Sequence, residues 1–94
     1  MSDITNQQRI SAVYGSAPIA TGAGVKTLDA TCYAYEVWED TVCSAFKDAD
    51  GNTVTTGWET KTISEGKTIF FPSDIKSITV TSGGLGQVYR SESL

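Results

Sequence analysis

Residues 31–39 read TCYAYEVWE, a stretch in which β-branched and aromatic side chains recur with a period of two. A strand turns successive side chains to opposite faces, so Thr31, Tyr33, Tyr35 and Val37 share one side and Cys32, Ala34, Glu36 and Trp38 the other. Neither side is wholly polar. A sheet built on this strand therefore needs cover on both faces, from a second sheet or from another subunit.

The remainder of the chain obeys the same grammar. Thr, Val, Ile and aromatic residues come in short runs separated by Gly, Ser, Asp and Asn at intervals of roughly 8–12 residues, which is the pattern of an all-β domain. Strands are expected over 10–14, 25–28, 31–39, 54–58, 68–71, 75–81 and 87–90, with a further short one over 61–63. The Gly- and Ala-rich stretch 15–24 is expected to be a loop. Within 41–49, Val42, Ala45, Phe46 and Ala49 are spaced as on a helix that Asp40 would cap, while Val42, Ser44 and Phe46 alternate as on a strand. The strand is preferred because nothing else in the chain has a helical period. The polar residues 1–9 are expected to form a flexible N-terminal arm with Ile4 as its branched aliphatic side chain, and residues 10–94 a single β domain.

Charge and residue types exclude several classes of function. Eleven acidic residues against seven basic give a net charge of −4, and no run of Lys or Arg is present to neutralise a phosphate backbone, so no nucleic-acid partner is expected. No run of about 18 apolar residues offers a bilayer span. The N-terminal residues lack the basic region and apolar core of a signal peptide, which leads to an expectation of synthesis in a cytoplasm. In that setting Cys32 and Cys43 are expected as reduced thiols. Without a single histidine, two cysteines eleven residues apart match no recurring zinc pattern.

Three stretches evoke chemistry and do not sustain it. Gly66-Lys67-Thr68, in SEGKTIFF, ends like a phosphate-binding loop, but Lys61 stands where that motif needs glycine, and a β-branched, aromatic run follows where it needs a helix. Ser64-Glu65-Gly66-Lys67 reads instead as a turn into a strand, with Phe70 and Phe71 on opposite faces. Asp48-Ala49-Asp50-Gly51 resembles a calcium loop, yet its glycine is fourth from Asp48 where such loops place it sixth, so a tight turn is preferred. Glu36, Glu39 and Asp40 gather around Trp38, but along one strand and its turn they do not face each other across a cleft as glycosidase carboxylates do. No catalytic, metal or cofactor-binding residue is assigned, and no enzyme activity is expected.

The aromatic residues carry the remaining signal. Tyr14, Trp58 and Tyr89 sit in polar strand surroundings, and Tyr and Trp are favoured interface anchors. Together with Ile4, Trp38 and Phe71 they form the candidate interface set. Residues 36–46, EVWEDTVCSAF, and 62–89, TISEGKTIFFPSDIKSITVTSGGLGQVY, resemble a group of small β-rich minor virion proteins of tailed bacteriophages, among them head decoration proteins. The shared pattern is an acidic-Asp-Thr-Val segment, a G-K/T-x-I strand, an I-x-V-x-S-G strand and a final strand ending in Tyr. Phe71-Pro72-Ser73 replaces the glycine turn common in that group. The resemblance implies a small β-sandwich or jelly-roll-like barrel, a homo-oligomer with a trimer favoured, and attachment to a major capsid or tail protein of a virion. The alternatives are a tail or neck structural protein, and a small carbohydrate- or cell-surface-binding module that uses Trp38, Trp58 and the tyrosines as stacking platforms.

Overall fold

The computed structural model describes residues 14–94, so the expected arm with Ile4, and most of the strand expected over 10–14, lie outside the described residues. Six strands follow in order: β1 (Ser16–Ile19), β2 (Gly24–Val37), β3 (Thr41–Lys47), β4 (Thr62–Ile63), β5 (Thr68–Ser82) and β6 (Gly86–Arg90). They form one antiparallel sheet in the order β1-β6-β2-β5-β3-β4, which curls into a half-barrel. The chain is all-β.

Two pairs of expected strands are fused into the long strands β2 and β5, and their mutual register explains the curl. β2 advances from Thr27 to Cys32 while β5 moves only from Ser77 to Ile75; β2 then advances from Cys32 to Ala34 while β5 moves from Ile75 to Phe70. Each strand thus carries an excursion of the same length, one after the other. Extra residues on one strand bend it and raise the local twist. The paired excursions divide the sheet into two halves, one made by β1, β6, the end of β2 and the start of β5, the other by the start of β2, the end of β5, β3 and β4. Pro72 lies inside the β5 excursion, where β2 asks for no N–H donor, which is how a proline fits within a central strand.

The two halves enclose the core. Cys32, Tyr35, Val37, Cys43, Phe46, Ile63, Ile75, Ile78 and Val88 are all fully buried. Phe46 from one half meets Phe71 from the other at 5.4 Å between ring centroids, tilted by 51°, an arrangement aromatic pairs favour. The buried Tyr35 donates its hydroxyl to the Gly84 carbonyl at 2.6 Å, and the Gly84 amide donates to the Thr41 hydroxyl at 3.0 Å, so the loop after β5 is tied to the ends of β2 and β3.

Two expectations are corrected. The stretch 15–24 is not all loop: Ser16–Ile19 pair with β6, where Pro18 faces Gln87. The Arg90 amide donates to the Gly15 carbonyl, and alternation of the ladder then turns Pro18, which has no N–H, toward the open edge. Residues 54–58 form no strand. Gly57 at φ 88 and Thr60 at φ 63 break the extended path. The segment instead lies along β3, held by Val54 and Thr60 amides donating to the Phe46 and Cys43 carbonyls, both at 2.8 Å. Residues 41–47 form a strand, as preferred over a helix, with Ala49 already in the turn that follows; Val42, Ser44 and Phe46 do not share a face, since Phe46 is buried and Ser44 exposed. Cys43 and Phe46, three apart, both point inward because the register slips between Cys43 and Ala45.

Tyr35→Phe strands the Gly84 carbonyl inside the protein and is expected to lower unfolding stability by about 1–3 kcal/mol, measured as the shift in urea midpoint at unchanged slope.

Candidate functional site

Three exposed apolar side chains, Phe70, Trp38 and Leu85, share the outward face of the β6–β2–β5 half, while Val25, Tyr14 and Leu94 are exposed singly elsewhere. Alternation along the end of β2 directs Ala34, Glu36 and Trp38 outward, and register sets their neighbours: Phe70 and Tyr89 flank Ala34, while Thr68 and Gln87 flank Glu36. The Trp38 amide donates to the Leu85 carbonyl at 2.7 Å, extending the array by one more row. Phe70 is 48% exposed, Trp38 45% and Leu85 37%. β6 lies close to β2 because of Gly86, where a Cβ would collide with the Glu36 carbonyl oxygen.

A polar network sits among these side chains. The Gln87 side-chain amide donates to Glu36 Oε1 at 2.7 Å and to the Tyr89 hydroxyl at 2.8 Å, and that hydroxyl donates to the same Glu36 oxygen at 2.9 Å. The Gln87 amide, then the Tyr89 hydroxyl and the Trp38 indole, hold the Glu36 carboxyl below its usual 4.5 against the opposing effect of burial. Burial, followed by the Glu36 carboxylate beside it, pushes the Tyr89 phenol up to about 12. The only cation of the described residues in an ion pair is Arg90, which is forked onto Asp29 at 2.8 and 3.1 Å and pairs in register with Cys32, four residues before Glu36 on β2.

The residues expected at an interface disperse. Trp38 is in the outward array, and Tyr89 lies beneath it, only 4% exposed, contributing its hydroxyl. Tyr14 is exposed at the other end of β6, where its carbonyl accepts from Arg90 at 3.3 Å. Trp58 is half-buried against the core, with the Lys67 ammonium over its ring at 5.1 Å. Phe71 is a correction: it points inward against Phe46, and the exposed member of the pair is Phe70. The parity of adjacent strand residues requires one in and one out; which is which depends on the register of β5. Ile4 lies outside the described residues.

The stretches that evoked other chemistry are occupied by structural duties. The Gly66 amide donates to the Val37 carbonyl at 2.8 Å and Lys67 closes a turn on Ser64 at 3.0 Å, with Gly66 at φ 88, a conformation that favours glycine. Asp48 Oδ1 accepts from the Asp50 and Asn52 amides at 3.0 and 2.9 Å and so builds its own turn. Glu39 accepts from the Thr21 hydroxyl and the Leu85 amide, and Asp40 from the Glu65 amide at 2.9 Å, so both carboxylates clamp loops. Among the described residues no group of His, Cys, Asp or Glu is arranged to hold a metal ion.

These groups set the response to pH. Glu36 has its folded-state pKa lowered, so its contribution is present above about 4.5 and lost as pH falls through the folded value. Burial pushes the Cys32 and Cys43 thiols from 9.0 up to about 12 and about 11, so their contribution is present below 9.0 and lost as pH rises toward those values. Urea midpoints are expected to hold level between about pH 5 and 9 and to fall on both sides. Cys32→Ala with Cys43→Ala makes the alkaline limb shallower, the raised Tyr35 and Tyr89 phenols keeping the rest of it, and Glu36→Gln does the same to the acid limb, to which the lowered Asp29, Glu39, Glu59 and Glu92 carboxyls also contribute.

Comparison with protein-family models, with curated proteins and with solved structures found no match for this chain.

Proposed function

We propose that this chain is a non-enzymatic structural protein of a tailed-bacteriophage virion, a homo-oligomeric β module, with a trimer favoured, that attaches to a capsid or tail protein. The observation that carries the reading is the outward array of Phe70, Trp38 and Leu85 on a sheet whose other face is already filled by core. Aromatic residues exposed together on a rigid sheet are the composition of a docking surface. The resemblance carried by residues 36–46 and 62–89 supplies the virion setting, and these two stretches build most of the array. Attachment at many equivalent sites makes modest affinity per site sufficient.

A second reading is supported by Trp38 beside Glu36 and Gln87, since an indole next to a carboxylate and an amide is also a sugar platform. A glycan panel read by tryptophan fluorescence separates the two.

Mass spectrometry of purified particles is expected to find the chain as a virion component, and light scattering after size exclusion to find an oligomer at micromolar concentration. Phe70→Ser is expected to keep the fold and to lower incorporation into particles by about tenfold, the loss of one apolar anchor at a docking surface. A monomeric chain missing from particles overturns the reading.

A further inference from the structure

We infer that the outward array centred on Glu36 is a receptor for the guanidinium of an arginine presented by the partner protein. The argument rests on the direction of its hydrogen bonds. Gln87 turns its amide N–H groups onto Glu36 and Tyr89, and Tyr89 turns its only O–H onto Glu36. With the Trp38 indole, which also donates toward Glu36, the donors of the network are all turned onto its own members, and what is left is acceptors: the remaining lone pairs of the Glu36 carboxylate and the side-chain oxygen of Gln87. Glu36 Oε2 accepts no hydrogen bond from Gln87 or Tyr89, and a carboxylate has about four acceptor sites, so the two bonds on Oε1 and the Trp38 indole leave it with acceptor capacity.

A site with rings and acceptors selects a ligand that is all donor. Arginine matches it: five N–H groups, no acceptor, and a plane that stacks on the aromatic rings of Trp38 and Phe70. A saccharide hydroxyl needs donors as well as acceptors from its site, and this array has already turned its donors onto its own members. A second copy docked face to face is disfavoured for another reason. A two-fold contact brings each patch onto itself and sets one Glu36 carboxylate against the other, in a chain that already carries a net charge of −4. Within the described residues the Glu36 carboxylate is held by neutral donors alone. A cation from a partner completes it.

This inference rests on the docking reading above, and it is tested on its own with the full chain labelled with nitrogen-15. Acetyl-Gly-Arg-Gly-amide is titrated in, beside the same peptide carrying lysine and the same peptide carrying citrulline, which keeps arginine's shape without its charge. Expected are saturable shifts at the Trp38 indole and at the Gln87 and Tyr89 amides, with the Trp58 indole unmoved. Binding is strongest for arginine, weaker for lysine and lost for citrulline, and about tenfold or more weaker in Glu36→Gln. Equal shifts from citrulline, unchanged binding in a folded Glu36→Gln, shifts from a neutral glycan in place of arginine, or no shift with arginine each overturn it. Should Glu36→Gln not fold, the arginine and citrulline peptides on the unaltered chain decide. A chain found in particles but indifferent to arginine loses this inference and keeps the docking reading; a chain that prefers arginine but is missing from particles does the reverse.

Discussion

The equal and successive excursions in β2 and β5 are the constraint on which everything else in this molecule depends. With fewer than a hundred residues, a flat sheet would leave one face without cover, because the described residues hold no helix and no second sheet. By lengthening first one strand and then the other, the chain bends its sheet and uses one half to bury the other. Phe46 and Phe71 meet across the interior because of that bend. So does the chain of bonds from Tyr35 through Gly84 to Thr41, which fixes the ends of three strands to one another.

The same bend decides what is left outside. Once the concave side is filled, the convex side of the β6–β2–β5 half has nothing of this chain's described residues to cover it. Its side chains are not those of an ordinary solvated sheet face. Phe70, Trp38 and Leu85 are exposed around a carboxylate that neutral donors hold in place. Fixing the carboxylate in this way lowers the entropy a ligand would have to remove on binding, and keeps the charge at the centre of the apolar surface.

The fold class was legible along the chain because period-two alternation and Gly-, Asp- and Ser-rich turns survive in the sequence whatever the tertiary arrangement. SEGKTIFF read correctly as a turn into a strand, since a β-branched, aromatic run cannot replace the helix that phosphates require. Strand boundaries were less legible where the chain slips register. Cys32 and Tyr35, Cys43 and Phe46, and Ile75 and Ile78 are inward-facing pairs three residues apart. In an all-β chain that spacing marks a bulge, although taken alone it mimics a helix. Residues 54–58 misled for a different reason: their apolar members, Val54 and Trp58, cover the core from an irregular segment lying along β3, and composition does not distinguish covering a core from pairing in a sheet.

The sequence by itself determined that this chain is β-structured, that it holds no recognisable nucleotide or zinc motif, and that one of Phe70 and Phe71 points away from the other. Those properties depend on side-chain type and on near neighbours along the backbone. Only the tertiary structure decided that Phe71 faces inward and Phe70 outward, that Tyr89 lies beneath the surface with its hydroxyl on Glu36, and that Gln87 completes the network from another strand. Each of those outcomes is set by register between strands far apart in sequence, and a shift of one residue would exchange the two faces. Local spacing does not encode that register; the buried packing of the bent sheet does.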